Sequence, residues 1–269
     1  MKCAVTGGTG SFGTAFVEHL LHDNLAERVV VYSRDEIKQG LLADRLLGKY
    51  RDQLRLRLGD VRDVARLRLA FADCDTVVHA AALKVIAQGI VNPDEMIKTN
   101  VLGTENVLRT AMECGVKRVL VLSTDKAAAP ANFYGNTKAL AEMLAVTWNA
   151  YGFAKGCRSA AVRYGNVFGS RGSVVHIFRA AAREGRPLPV TDPRMTRFWM
   201  TTSGAARFVL SALERMRGGE VFCPKMSSFR LLDLGAAVLG KDALSPDDYV
   251  VMGIRPGEKI HEAMIAPEE

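Results

Sequence analysis

A short apolar run leads directly into a glycine-rich turn at the start of this chain, and no other feature constrains the fold as strongly. Residues 1–5 (MKCAV) indicate a strand, residues 6–13 (TGGTGSFG) a tight turn, and the residues up to 21 an amphipathic helix. The glycines satisfy both G-x-G-x-x-G (Gly8, Gly10, Gly13) and G-x-x-G-x-x-G (Gly7, Gly10, Gly13). This order favours a pyrophosphate bound by backbone N–H groups at the helix start, and therefore a dinucleotide. The alternative is a glycine-rich surface turn.

The end of the second predicted strand bears on which dinucleotide is bound. Residues 28–32 (RVVVY) lead into Ser33, Arg34 and Asp35, where a dinucleotide fold contacts the adenosine ribose. An acidic residue at the strand tip would accept the free 2′-hydroxyl of NAD, whereas serine and arginine suit the 2′-phosphate of NADP. We therefore favour NADP. Asp35 keeps NAD open, since it also fits as the N-cap of a helix that begins at Glu36.

Strands and helices alternate over the first 164 residues. Further strands are predicted at residues 54–58, 76–79, 118–123 and 159–164, and further helices at residues 93–114 and 134–151. Parallel strands joined by crossover helices give a doubly wound α/β sheet. In its usual strand order the third strand is an edge, which agrees with Arg55 and Arg57 alternating with leucines, because charge commonly guards sheet edges.

The pattern changes after residue 164 to shorter elements rich in Gly, Pro and Arg. We predict loops at residues 165–172, 186–197 and 253–257, and helices near residues 174–184, 203–215 and 230–239. We therefore expect a dinucleotide-binding Rossmann domain over residues 1–164 and a mainly substrate-binding lobe over residues 165–269. This lobe would be discontinuous, with some elements packing back on the first domain, and would close over the carboxyl ends of the strands.

The composition limits the cellular setting and the partners. The 269 residues, 48% hydrophobic and 24% charged, can bury a sizeable core, and no apolar run approaches the roughly 18 residues that cross a bilayer. Met1 leads straight into the first strand without a signal peptide, so we expect a cytoplasmic protein without a membrane partner. The net charge of +7 suits an anionic partner. The arginines of the chain are dispersed along the sequence, which favours a phosphorylated small molecule over nucleic acid as that partner.

Metal and disulfide chemistry have little support in the sequence. The five cysteines (Cys3, Cys74, Cys114, Cys157, Cys223) are odd in number, scattered and without a C-x-x-C pair. His19 and His22 lie three apart on the first helix, but no further ligands lie near them. We therefore expect neither a disulfide framework nor a metal site.

The connection after the fifth strand concentrates proton-handling side chains. Residues 123–126 (STDK) are followed by Tyr134 and Lys138 in a Tyr-x-x-x-Lys pair. Residues four apart on a helix share a face, so the Lys138 ammonium would favour the phenolate of Tyr134 and lower its pKa from about 10. We therefore expect a base that is usable near neutral pH. The alternative is a half-buried aromatic residue beside a solvated lysine.

These motifs together resemble an extended short-chain dehydrogenase/reductase, and more closely the inverting UDP-N-acetylglucosamine 4,6-dehydratases. Matching segments are residues 6–13 (TGGTGSFG), 32–39 (YSRDEIKQ), 59–63 (GDVRD), 79–84 (HAAALK), 98–103 (KTNVLG), 123–127 (STDKA), 163–174 (RYGNVFGSRGSV), 190–199 (VTDPRMTRFW) and 253–261 (GIRPGEKIH). Asp125 and Lys126 discriminate within this group. Retaining sugar-nucleotide dehydratases carry Asp-Glu there, and 4-epimerases have neither pair.

The resemblance implies a reaction and catalytic roles for five residues. Tyr134, aided by Lys138 and Thr124, would take the proton of the sugar 4-hydroxyl while hydride passes from carbon 4 to a tightly bound NADP. The new ketone acidifies the proton on carbon 5, which Lys126 would remove. Asp125 would protonate the departing 6-hydroxyl, after which hydride returns to carbon 6 and the cofactor is recycled.

Lys126 can serve as this base only if it is partly neutral. We expect desolvation and the nearby charges of Lys84 and Lys138 to bring this about. A structural alternative exists for both members of the pair, since Asp125 could cap the following turn and Lys126 could be solvated.

The resemblance also implies the residues that bind cofactor and substrate, in a homo-oligomer. The cofactor set is Gly7, Gly10, Ser11, Phe12, Gly13, Ser33, Arg34, Lys38, Asp60, Val61, Ala80, Ala81, Lys84, Asn100, Tyr134 and Lys138. The substrate set is Lys84, Asn166, Ser173, Thr191, Met195, Arg197, Arg255 and Glu258. The arginines would pair with the diphosphate of a nucleotide sugar, although Arg197 and Arg255 could each be surface charges.

The sequence departs from the family pattern in ways that leave the sugar open. The H-V-P that usually follows A-A-L-K is Val85-Ile86-Ala87, and the proline usual after S-V-V is His176. The chain also ends at Glu269, short of typical relatives. Two other functions therefore stay in view. One is another sugar-nucleotide enzyme, such as a 5,6-dehydratase or a 4-epimerase, and the other is an NADP-binding sensor without activity, which would have no need of the intact catalytic set.

Overall fold

A sheet of seven parallel strands organises the computed structural model, which describes residues 1–269. The twelve strands are β1 (Lys2–Thr6), β2 (Arg28–Ser33), β3 (Leu54–Leu58), β4 (Thr76–His79), β5 (Arg118–Leu122), β6 (Arg158–Val162), β7 (Asn166–Val167), β8 (Leu188–Val190), β9 (Thr196–Met200), β10 (Val221–Phe222), β11 (Ser228–Arg230) and β12 (Tyr249–Val251). The central sheet has the order β10-β6-β5-β4-β1-β2-β3. The predicted doubly wound α/β fold is confirmed, and so is β3 as an edge strand.

Eleven α-helices connect and cover the strands. They are α1 (Ser11–His22), α2 (Glu36–Tyr50), α3 (Val64–Phe71), α4 (Ile86–Val91), α5 (Pro93–Ile97), α6 (Gly103–Glu113), α7 (Phe133–Thr147), α8 (Asn149–Gly152), α9 (Val174–Arg183), α10 (Thr202–Arg215) and α11 (Leu231–Leu239). The long helix predicted at residues 93–114 is α5 and α6 joined by a π-helical turn, Lys98–Leu102. None of the helices combines the length and the apolar composition needed to cross a membrane.

The central sheet separates two apolar cores because its inner strands are buried on both faces. Along β1, Cys3 and Val5 belong to a core cluster of 23 buried residues, whereas Ala4 belongs to a second cluster of 19 on the opposite face. Side chains alternate between faces along a strand, so a strand that is apolar throughout supplies both cores. This explains why the buried strands of the sequence show no polar alternation.

The remaining strands form two small sheets beside the carboxyl ends of the central strands. One has the order β11-β9-β7 and the other pairs β8 with β12. A core of six buried residues is formed by β8, α9, the start of α11 and Met195. The loop predicted at residues 186–197 is wrong, because it contains β8 and the start of β9. Pro189 lies inside β8 and removes a backbone donor, which indicates a loop in the sequence; the strand tolerates it because β12 is its single partner.

Part of the chain beyond residue 164 packs on the central sheet. Strand β10 pairs with β6, and α10 packs on α1, where Val209 lies in the same core cluster as Phe16 and Leu20. The division of the chain into two domains at residue 164 stays a prediction.

Candidate active site

The glycine turn between β1 and α1 brings three backbone segments into close contact. Gly7 has φ +67°, and a Cβ there would lie 2.7 Å from the backbone nitrogen of Ala81. At Gly13 a Cβ would lie 2.4 Å from the Gly7 carbonyl oxygen. The N–H groups in the first turn of any helix have no intrahelical partner, and in α1 no side chain caps them. They are therefore available to an anion. This backbone suits the pyrophosphate of a dinucleotide.

The tip of β2 carries one acidic and two basic side chains. Asp35 caps α2 by accepting from the backbone N–H of Lys38 at 2.9 Å, and its carboxylate also pairs with the Lys38 ammonium. Those hydrogen bonds lower the pKa of Asp35. Arg34 is half-exposed, and its guanidinium lies 3.3 Å from the Asp60 carboxylate. The structure thus shows the capping role that the sequence left open for Asp35.

A cavity of about 270 Å³ lies beside the glycine turn, with three cationic side chains in its wall. Lys38 and Arg45 reach it from α2. Arg171 reaches it from the loop after β7, where its backbone N–H donates to Ser11 Oγ at 3.1 Å and its guanidinium to the Thr9 carbonyl. Arg171 was missed in the sequence because its link to the glycine turn is a tertiary contact.

Asn100 links the loop after β4 to helix α7 through hydrogen bonds. It is fully buried in the π-helical turn, and its side-chain oxygen accepts from the Leu83 backbone N–H at 2.8 Å. Its amide donates to the Leu83 carbonyl at 2.8 Å and to Thr137 Oγ1 on α7 at 3.0 Å. The structure therefore shows Asn100 supporting residues 80–84 and α7, while direct contact with a cofactor stays a prediction.

The catalytic stretch after β5 forms a single 3₁₀ turn, Asp125–Ala127, with Thr124 as its N-cap. Asp125 is fully buried, and its Oδ1 accepts from Thr124 Oγ1 at 3.0 Å and from Lys126 Nζ at 2.9 Å. Its Oδ2 has no hydrogen-bond partner. A buried carboxylate oxygen without a partner is costly, and this atom is free to accept from a donor that enters the site.

Tyr134 and Lys138 lie side by side on α7, as predicted, but their electrostatics differ from the expectation. Burial, and then the Asp125 carboxylate, raise the pKa of Tyr134, with the Thr124 hydroxyl acting in the opposite sense. Burial also lowers the pKa of Lys138 to about 8, against the opposing charge of Glu142. The predicted lowering of the Tyr134 pKa is wrong for the protein alone, because desolvation penalises the phenolate and the charge of Asp125 adds to that penalty.

This burial predicts a pH-dependent stability. The folded-state pKa of Lys138 lies below its unfolded value of about 10.4, so its stability cost is complete below pH 8 and disappears as pH rises toward 10.4. Lys138→Met should therefore raise the free energy of unfolding by about 1–3 kcal/mol at pH 7, with a gain that shrinks above pH 8. Denaturant unfolding of the cofactor-free protein measures it, with the exposed Lys155→Met as control. A gain that does not vary with pH would contradict the assignment.

Lys126 has acidic neighbours. Its Nζ contacts two carboxylates, Asp125 at 2.9 Å and Glu262 at 3.5 Å. The two lysines expected near Lys126 have other charged neighbours. The charged group near Lys84 is Arg171, and the one near Lys138 is Glu142. The expectation that desolvation and the charges of Lys84 and Lys138 make Lys126 partly neutral stays a prediction.

The C-terminal segment, residues 257–262, lies against the catalytic stretch. Asn132 Nδ2 donates to the Gly257 carbonyl at 2.8 Å, and Lys259 Nζ donates to the Ala128 carbonyl at 2.9 Å. Glu262 follows, with its side chain 4% exposed. The matching word at residues 253–261 stops one residue before Glu262, so its acidic character was the one signal that could have found it.

Two of the predicted substrate residues have a direct link to this segment, since Glu258 belongs to it and Arg197 bonds to it. Arg197 is partly buried and donates to the carbonyls of Lys259 and Ile260, both at 3.0 Å. Arg255 is exposed and lies 3.9 Å from Glu258. Glu258 Oε2 and Ser173 Oγ are buried without hydrogen-bond partners, whereas Asn166 is on β7, Thr191 follows β8 and Met195 is in the small core. Their contact with substrate stays a prediction.

Comparison with known proteins gives matches over nearly the whole chain. The family model described as polysaccharide biosynthesis protein matches residues 3–269. A UDP-N-acetylglucosamine 4,6-dehydratase (inverting) of Campylobacter jejuni is 45% identical over 98% of this chain and 77% of its own length. A UDP-glucose 4-epimerase of Rickettsia typhi is 38% identical over 98% and 77%. The X-ray structure of Pen from Bacillus thuringiensis superposes with a TM-score of 0.93 at 34% identity, covering 100% of this chain and 83% of that one.

Proposed function

The chain belongs to the polysaccharide biosynthesis protein family, and from that premise we propose that it is an NADP-dependent, C5-inverting 4,6-dehydratase of a UDP-N-acetylhexosamine, in the first place UDP-N-acetylglucosamine. It is an enzyme of the hydro-lyase type, and its product would be a 4-keto-6-deoxy sugar nucleotide. The observation that carries the proposal is the Asp125–Lys126 pair, 2.9 Å apart and placed beside Tyr134. Elimination of water needs such an acid and base together.

The Asp125–Lys126 pair also separates this proposal from 4-epimerisation, which the similarity to a Rickettsia epimerase keeps in view. An epimerase oxidises and reduces carbon 4 and has no proton to remove from carbon 5. A fully buried carboxylate with one free oxygen, joined to a lysine that is 17% exposed, would have no task in that reaction. The pair would serve an elimination.

The backbone and side chains near the glycine turn fit an NADP molecule. The N–H groups at the start of α1 would hold the pyrophosphate, and Arg34, with the cations around the cavity beside α2, would hold the 2′-phosphate. When bound, the dinucleotide would supply a hydride acceptor that also gives the hydride back to the sugar. Because hydride is returned, the reaction needs no net oxidant.

Arg34 offers a test of the preference for NADP. Charge-assisted hydrogen bonds contribute roughly 1.5–3 kcal/mol each, so Arg34→Ala should weaken NADP binding about tenfold or more and leave NAD binding nearly unchanged. Calorimetric titration of the cofactor-free protein with each dinucleotide measures this. NAD is the internal control, and equal losses for both would mean that the Arg34–Asp60 pair supports the fold and does not recognise the 2′-phosphate.

Four protons move at the sugar, and the chain's own groups would handle three of them. The fourth would come from solvent, to which Tyr134 releases its proton, and would add to carbon 5 on the face opposite to Lys126 as hydride adds to carbon 6. Tyr134 would take the proton of the 4-hydroxyl. Lys138 would supply positive charge near its phenol, and the Thr124 hydroxyl would orient it. Lys126 would take the proton from carbon 5, which the new ketone acidifies. Asp125 would give a proton to the departing 6-hydroxyl. Its buried, unpartnered Oδ2 is the atom that supports this last role.

The remaining expectations belong to the same proposal. Residues 165–269 would form most of the substrate lobe, and its arginines would hold the diphosphate. Arg255 is exposed enough to do so, whereas Arg197 would act with a guanidinium that already ties down the C-terminal segment. The enzyme would work in the cytoplasm as a homo-oligomer.

Turnover without added cofactor tests the proposal. Purified protein incubated with UDP-N-acetylglucosamine should convert it to a product that has lost one molecule of water, as seen by mass spectrometry. Reduced nicotinamide should not accumulate in proportion to product, because the hydride leaves and returns within each cycle. A stoichiometric rise in the absorbance of reduced nicotinamide would show a net dehydrogenase and contradict the proposal.

A further inference from the structure

Glu262 is a buried carboxylate that faces the amine of Lys126. Its side chain is 4% exposed, and its Oε1 lies 3.5 Å from Lys126 Nζ. Its Oε2 has no hydrogen-bond partner, and the nearest cation to it is Lys259 Nζ at 3.7 Å. Buried ion pairs of loose geometry contribute little to stability, so stability alone does not explain this arrangement.

Residues that follow the 3₁₀ turn Asp125–Ala127 hold the segment that carries Glu262 in place. The segment that carries it is held by the side chains of Asn132 and Lys259, which bond across to Gly257 and Ala128 respectively. Arg197 holds the same segment from its other side through main-chain carbonyls. Asn132 is also the N-cap of helix α7. The position of the segment is therefore tied to the helix that carries Tyr134 and Lys138.

The charges around Lys126 balance as a group. Asp125 and Glu262 supply two buried carboxylates, and Lys126 and Lys259 supply two ammonium groups. Lys259 would offset Glu262, which leaves Lys126 and Asp125 as a neutral couple able to share one proton. Lys126 therefore lies between two carboxylates, of which Asp125 is hydrogen-bonded and Glu262 is slightly more distant.

We propose that Glu262 is a positioning residue for the elimination step, holding the Lys126 amine beside Asp125 and against carbon 5 of the substrate; this inference rests on the proposed function. In the reactive form Lys126 is a neutral amine and Asp125 is protonated. The amine takes the proton from carbon 5, the electron pair of that C–H bond forms the second bond of a double bond between carbons 5 and 6, and the bond from carbon 6 to oxygen breaks. Asp125 protonates that oxygen, which leaves as water. Transfer of one proton from Lys126 to Asp125 restores the couple, and Glu262 keeps its charge throughout.

The test is a double-mutant cycle between Glu262 and Lys126, read separately for two steps. Glu262→Gln keeps the side-chain volume and removes the charge. We expect substrate affinity and the first hydride transfer, followed by reduced-nicotinamide fluorescence in a single turnover, to stay within about threefold of wild type. Exchange of the carbon 5 proton with deuterated water should fall about tenfold or more, since small misplacement of a reacting group is costly. In a Lys126→Ala background the same substitution should cause no further fall.

The outcomes separate positioning from a general structural role. An equal loss of hydride transfer and exchange, an additional fall in the Lys126→Ala background, or undiminished exchange in Glu262→Gln would each overturn the inference alone. Absence of exchange in the wild-type protein would overturn the proposed function and this inference with it. If Glu262→Gln does not fold, Glu262→Asp, which retains the charge but shortens its reach, carries the same cycle with the same criteria.

Discussion

Tyr134→Phe is expected to block the first hydride transfer. Tyr134 is buried on α7, where the Asp125 carboxylate and the Thr124 hydroxyl both act on its phenol, and loss of one positioned base typically costs a hundredfold to ten-thousandfold in rate. Because the ketone at carbon 4 would not form, the proton on carbon 5 would not be acidified. Exchange at carbon 5 should therefore be lost as well. Single-turnover absorbance of reduced nicotinamide and deuterium exchange measure the two effects.

The matched control for this substitution is Tyr50→Phe. Tyr50 is another buried tyrosine, 7% exposed, at the end of α2, and its ring lies 5.6 Å from that of His22. Removing its hydroxyl should leave hydride transfer within about threefold of wild type, because general acid–base catalysis depends on one positioned group. Hydride transfer that survives in Tyr134→Phe would remove Tyr134 from the role of base and point to another hydroxyl of the catalytic stretch.

Lys126→Ala is expected to separate oxidation from elimination. Tyr134 and Lys138 remain in this variant, so substrate should bind and hydride should still leave carbon 4. Removal of the carbon 5 proton should slow by about a hundredfold or more, the usual scale for loss of a positioned base. Reduced nicotinamide should then accumulate in a single turnover, whereas in Tyr134→Phe it should never appear. Stopped-flow fluorescence and product mass distinguish the two variants.

An unaffected Lys126→Ala variant would be informative in the opposite sense. Wild-type turnover and exchange would mean that Lys126 is not the base, and the 4-epimerase alternative would gain. Loss of hydride transfer together with elimination would mean instead that the Lys126–Asp125 contact maintains the site around Tyr134.

The fold was predictable because its signals are local. Apolar strands, glycine turns and caps such as Asp35 depend on neighbours within a few residues, and each is present in the sequence as it is in the structure. Strand β8 shows where this fails. Its Pro189 favours a loop locally, and only pairing with β12, some sixty residues later, makes it a strand.

The segments that carry the candidate site were predictable, whereas its electrostatics were not, and the roles of its residues stay predictions. The sequence motifs around Asp125 and Tyr134 locate the candidate reactive groups. The pKa of Tyr134, however, depends on burial by distant segments, which spacing along a helix does not reveal. Arg171 and Glu262 reach the site through tertiary contacts with residues more than a hundred positions away. Arg171 lies inside the matching segment at residues 163–174, but that segment does not reveal its contact with the glycine turn.

Product analysis in deuterated water tests the central claim most directly. Purified protein incubated with UDP-N-acetylglucosamine should give a dehydrated 4-keto-6-deoxy sugar nucleotide that carries deuterium at carbon 5, with the configuration at that carbon inverted, as read by mass spectrometry and NMR. A product of unchanged mass in ordinary water with carbon 4 epimerised, or a dehydrated product with the configuration at carbon 5 retained, would contradict the assignment of Asp125 and Lys126 as the acid and base of an inverting elimination.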